Sequence, residues 1–140
     1  MVIRLPALVL GATLIAAPLW AAPQEEINAT LGADTEIWNG LFAIALADQI
    51  RENCDSISAR NFRAMRFIYG LYGRAREYGY SRQDIQAFQR DDAVGDRMRA
   101  EVMAYFAENG VREGASETYC ALGLAEISAD TPAGNLLRAR

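Results

Sequence analysis

Two cysteines, Cys54 and Cys120, are the only ones in the 140-residue chain. Joined to each other, they would require the backbone at both positions to approach within about 7 Å, which excludes most arrangements of the 65 residues between them. Two cysteines allow a single intramolecular connectivity, and they lack the C-x-x-C spacing of a redox-active pair. Closing that loop would stabilise the fold by up to about 4 kcal/mol in the loop-entropy picture. Cys54 sits in the corner Asn53-Cys54-Asp55-Ser56-Ile57-Ser58-Ala59-Arg60, where one apolar helix is expected to end and a second to begin.

Oxidation is expected because of how the chain starts. Met1-Val2-Ile3-Arg4 is short and positive, Leu5 to Trp20 is apolar and uncharged, and Ala21-Ala22-Pro23-Gln24-Glu25-Glu26 turns small, then acidic. That is the layout of a secretory signal peptide over residues 1–22, with cleavage after Ala22, Ala21 or Ala17; an uncleaved anchor is the alternative. A flexible lead-in is expected over 23–33, which lack a clear period, and a disulfide-linked helical domain over 34–140. A periplasmic or secreted location follows.

Composition excludes more chemistry than any motif implies. All fourteen basic residues are arginine, with no lysine and no histidine. That removes histidine-based nucleophile pairs, imidazole metal ligands, Schiff bases and Walker-type phosphate loops. A net charge of −4 argues against nucleic-acid binding. No cofactor and no metal site is expected.

Helical spacing recurs along the rest. Asp34 or Thr35 caps a helix to about Asn53, apolar all round over Leu41 to Ala47, as buried helices are. Ser56 or Ser58 opens a second helix with Ile57, Ala64, Ile68, Leu71, Ala75 and Tyr78 on one face. Gly70 and Gly73 inside it each cost up to about 1 kcal/mol against alanine, and a closely packed neighbouring helix is the expected compensation. Ser81 with Asp84 resembles a capping box, and Arg90-Asp91-Asp92 bends or restarts the chain. A longer helix ends at Asn109-Gly110, Ser116 caps the next, and Thr131-Pro132 opens a last short helix with Leu136 and Leu137. No strand alternation is visible. The fold class expected is all-α, a bundle of four to five helices stapled by one disulfide and preceded by the signal-peptide helix.

Between Ser56 and Tyr80 lie five arginines, Arg60, Arg63, Arg66, Arg74 and Arg76, against one acid, Glu77. Guanidinium groups recognise carboxylate and phosphate through paired hydrogen bonds, so Arg60, Arg63 and Arg66 are candidates for an anion or partner-binding face. The plainer expectation is that these arginines pair with Asp84, Asp91, Asp92 and Asp96. Asp48 and Glu52 are the best candidates for a hydrolase's carboxylate pair, although Arg51 between them makes a surface ion pair the simpler reading. A third reading, a carrier of apolar ligands or lipids, requires a closed cavity under Phe62 to Tyr72.

The blocks Ile50-Arg51-Glu52-Asn53-Cys54, Ser58-Ala59-Arg60, Ala75-Arg76-Glu77-Tyr78-Gly79-Tyr80-Ser81, Asn109-Gly110-Val111, Tyr119-Cys120-Ala121-Leu122-Gly123-Leu124-Ala125-Glu126-Ile127 and Gly134-Asn135-Leu136-Leu137 together resemble a family of short exported proteins of unknown function from alphaproteobacteria. The resemblance implies a helical domain with Cys54 bonded to Cys120, and carries no activity. The leading expectation is an exported accessory protein whose partner is an envelope protein or membrane complex.

Overall fold

The computed structural model describes residues 22–140. The signal-peptide expectation lies, apart from Ala22, outside the described residues. Among the described residues six α-helices follow one another: α1 Gln24–Ala33, α2 Thr35–Asn53, α3 Asn61–Glu77, α4 Arg82–Arg90, α5 Asp92–Glu108 and α6 Ser116–Ser128. A ribbon of two short strands, β1 Ile57–Ala59 and β2 Leu137–Ala139, pairs antiparallel with Ile57 opposite Ala139. The expected all-α bundle with its disulfide is thus present, with a ribbon added.

α2 runs through the centre and touches α1, α3, α5, α6 and β1. Its apolar middle is explained by that position, since a helix surrounded on all sides has no polar face to present. Around its first half pack Ile27 and Leu31 of α1, Ala75 of α3, and Ile85 and Phe88 of α4. Around its second half pack Ile57, Val102, Phe106, Leu122, Leu136 and Leu137. Glycines within the helices set close approaches: a Cβ on Gly40 would stand 2.5 Å from the Leu71 side chain, and one on Gly123 2.4 Å from Ile57. The disulfide joins the end of α2 to α6 with the two Cα atoms 5.2 Å apart, and Cys54 is fully buried.

The structure departs from the sequence reading at three places. Residues 24–33, expected to be a flexible lead-in, form α1. Ile27 and Leu31, four apart, put one apolar edge onto α2 and α4, and two residues are too few to read as a period. The second long helix starts at Asn61 rather than at Ser56 or Ser58, because Ile57 is drawn into the core and its neighbours pair with β2. The expected last helix is a single 3-10 turn, Gly134–Leu136, followed by β2. Gly134 lies so close to α6 that a Cβ would meet the Glu126 carbonyl oxygen at 2.0 Å, and fully buried Leu137 anchors the strand.

Candidate functional site

α3 carries the residues singled out by charge. Of its side chains only Ala75 is fully buried, whereas Phe62 is 79% and Tyr69 65% exposed, with Met65 and Ile68 also exposed. Phe62, Met65 and Tyr69 are three and four residues apart and so share one face. Gly70 and Gly73 open onto that outward side, with nothing within 4 Å of a Cβ at either position. The expected close helix neighbour is absent among the described residues; the close approaches fall instead at Gly40, Gly123 and Gly134.

Both ends of α3 are pinned. At its C-terminal end Arg74 reaches the Asp34 carboxylate at 3.0 Å and Glu36 at 3.4 Å, and the Tyr78 hydroxyl donates to Asp34 at 2.7 Å. Asp34 also caps α2, accepting from the backbone N–H groups of Glu36 and Ile37, both at 3.0 Å. The Ile37 N–H and the Tyr78 hydroxyl, aided by Arg74 and opposed by burial, bring its carboxyl down from 3.8 to about 2. At the N-terminal end the Arg60 side chain donates to the Leu137 carbonyl at 2.8 Å, and Arg63 to the Asn135 carbonyl and side-chain oxygen, both at 3.3 Å.

The candidate trio therefore divides. Arg60 and Arg63 are engaged by the C-terminal segment, and Arg66 makes no such bond. The expected pairing with acids of the following helices does not occur: Asp84 bonds Ser81, Asp91 caps α5 and Asp96 pairs with Arg99. Among the described residues Arg60, Arg63, Arg66 and Arg76 have no carboxylate partner.

Asp48 and Glu52 are solvated, at 45% and 49% side-chain exposure, and Arg51 lies against both. Asp48 lines a surface groove and Glu52 does not, so the two carboxylates do not converge on one cleft. Beneath α3 there is an open apolar groove of about 560 Å³ between α2, α3 and α4 instead of the closed cavity that the carrier reading required.

Two polar clusters escaped the sequence reading. Asp34 with Arg74 and Tyr78 is one. The other is Glu126, buried on α6, which accepts from the hydroxyls of Tyr105 and Thr131. The Glu126 bond, with burial adding to it, pushes the Tyr105 phenol up to about 12. Glu126 faces no cation among the described residues, so the two hydroxyls take the place of an ion-pair partner. Among the described residues no three His, Cys, Asp or Glu side chains gather as a metal site, and no helix is long and apolar enough to cross a membrane.

Neither a curated protein nor a solved structure matches the chain. A family described as a family of unknown function, DUF5333, matches residues 29–138, and the chain belongs to it.

Proposed function

We propose that the chain is an exported, periplasmic accessory protein that binds another envelope protein, or the periplasmic face of a membrane complex, through the outward face of α3. The observation that carries this reading is the combination on one helix of exposed Phe62, Met65 and Tyr69 with Arg63, Arg66 and Arg76, which have no carboxylate partner among the described residues. Scattered single apolar residues are ordinary on a surface, but an aromatic stripe rimmed by cations without carboxylate partners marks a contact surface. In a chain of net charge −4 this face is complementary to an apolar patch flanked by carboxylates, and that is the partner chemistry proposed. Gly70 and Gly73 support it, since bare backbone on the same helix admits close approach by another molecule. The disulfide supports an oxidising compartment.

The test places a photo-crosslinking side chain at Tyr69 and, as a control, at Leu124, an exposed apolar residue on α6. In intact cells position 69 should capture one protein that position 124 does not, and Arg66→Glu should abolish the capture. Reversing a carboxylate at the partner's mapped contact should restore it. Identical products from the two positions, or capture indifferent to Arg66→Glu, would overturn the reading. Sedimentation of the purified protein with anionic vesicles, lost in Arg66→Glu, would reassign the face to a lipid surface.

A further inference from the structure

A second feature lies on the flank of α3 and shares only Tyr69 with the proposed contact face. Two open concavities run along the α2–α3 pair. One, of about 560 Å³, lies between α2, α3 and α4 and has an apolar floor that includes Ile37, Leu41, Ile85 and Phe88. The other, of about 860 Å³, lies between α2, α3 and the ribbon, and Arg51, Arg138 and Arg140 line it. Ile44 and Ile68 line both, so these two side chains stand where one concavity gives way to the other. On α2 the combined trough extends from Ile37 to Arg51, about 21 Å at the roughly 1.5 Å rise per residue of an α-helix.

The apolar floor lies at the α4 end and three of the four lining arginines at the ribbon end, where Asp48 also lies. At the α4 end the polar groups are confined to Arg82, Gln86, Gln89 and two tyrosine hydroxyls. A peptide laid there would bring backbone N–H and C=O groups with few partners, each costly to strip of water. A hydrocarbon chain brings none. At the ribbon end Arg51 is held by Asp48, but Arg138 donates only to the Ser58 hydroxyl at 3.2 Å, and neither it nor Arg140 meets a carboxylate among the described residues.

An open groove does not enclose a wholly apolar cargo as a carrier must, but it can seat a chain whose charged head stays in water. We propose that the trough binds a single-chain anionic amphiphile, its hydrocarbon chain over the floor between α2, α3 and α4 and its charged head at Arg138 and Arg140. Each concavity taken singly has the volume of a small-molecule site; the one between α2, α3 and α4 is mostly apolar and the one beside the ribbon mostly polar, as a hydrocarbon chain and a charged head require. Guanidinium groups take carboxylate and phosphate heads alike, so a fatty acid and a lysophospholipid share the chemistry the site recognises.

The test titrates the oxidised protein, below the micelle limit, with a long-chain fatty acid, a lysophospholipid of acidic head group and the neutral monoacylglycerol of the same chain. Both anionic probes should bind in preference to the neutral one if the head chemistry is general; binding of one alone would identify the source. Arg138→Glu with Arg140→Glu should weaken anionic binding at least about tenfold and leave the neutral probe unchanged. Ile68→Glu, at a half-exposed position, should weaken all three, while Leu124→Glu, outside the trough, should change none. Tyr69→Trp, an aromatic exchange at an exposed position on the trough wall, leaves the core untouched, and its indole emission should shift to the blue on uptake. No binding of either anionic probe, an unchanged anionic-to-neutral ratio after the arginine reversals, or an indole at position 69 that does not respond to the probes would overturn the proposal.

Discussion

Asp34 should hold a measurable part of the stability, and replacing it by asparagine isolates its charge. The side chain is 2% exposed and accepts four bonds, two from the start of α2 and two from the end of α3. Its carboxyl titrates at about 2, against an ordinary 3.8. At about 1.4 kcal/mol per unit, the folded state prefers the charged form by roughly 2 kcal/mol. A carboxyl whose value is lowered by folding stabilises the protein above the unfolded value and loses that contribution as pH falls toward the folded one. Asn mimics the protonated form, so Asp34→Asn should lose roughly 2 kcal/mol at neutral pH, or about 8 °C in Tm for a domain of this size. The difference from wild type should shrink from about pH 5 downward and be nearly gone near pH 2. Thermal melts of both proteins by circular dichroism across that range give the answer. Equal melting at neutral pH, or a gap undiminished in acid, would refute the reasoning.

Three further outcomes follow from other contacts. Replacing Cys54 and Cys120 by alanine should lower the unfolding free energy by up to about 4 kcal/mol, read from urea titration, because a loop spanning 66 positions is released in the unfolded chain. Gly70→Ala and Gly73→Ala should each raise stability by up to about 1 kcal/mol, since a methyl group there meets open space, whereas Gly123→Ala should lower it by pressing on Ile57 and Ile50. Tyr105 should ionise at about 12 in an ultraviolet titration, and Tyr105→Phe should remove that late step; a phenol value raised by folding stabilises below about pH 10 and is lost above it.

What was legible in the chain was whatever depends on local chemistry. Asp34 at the start of α2, the Ser81–Asp84 capping box and the break at Asp91 are fixed by side chains bonding backbone within three residues, so spacing reveals them. The cysteine pair was legible because two residues admit one bond. The ribbon was not, since three residues per strand contain hardly more than one period and the pairing spans about eighty positions. The arginines of α3 were read correctly as an excess and wrongly as pairing with the helices that follow. Their actual partners, Asp34 from upstream and the carbonyls of 135 and 137 from the tail, are set by the fold alone. Glu126 gave no signal, because an acid near the end of an apolar helix looks like a solvated edge until Tyr105 and Thr131 arrive from elsewhere.

The division of labour among those arginines bears on the proposed contact face. Arg60, Arg63 and Arg74 tie the two ends of α3 to the rest of the molecule, while its outward face keeps Phe62, Met65, Tyr69 and two glycines in water. Burying an aromatic side chain of this kind is worth about 1.5–3 kcal/mol, and alanine at each glycine about 1 kcal/mol more, in a molecule whose net stability is of order 5–15 kcal/mol. Leaving all of that unused on one face, while fastening both ends of the helix that bears it, makes little sense for stability alone. It suits a rigid surface presented to another molecule, since a helix already held in place gives up little entropy when a partner docks. Loosening a pin should then weaken docking without touching the contact residues, so Asp34→Asn should reduce capture from position 69 as well as Tm. Full capture in a variant whose melting point has fallen as expected would separate the two roles and leave the pins purely structural.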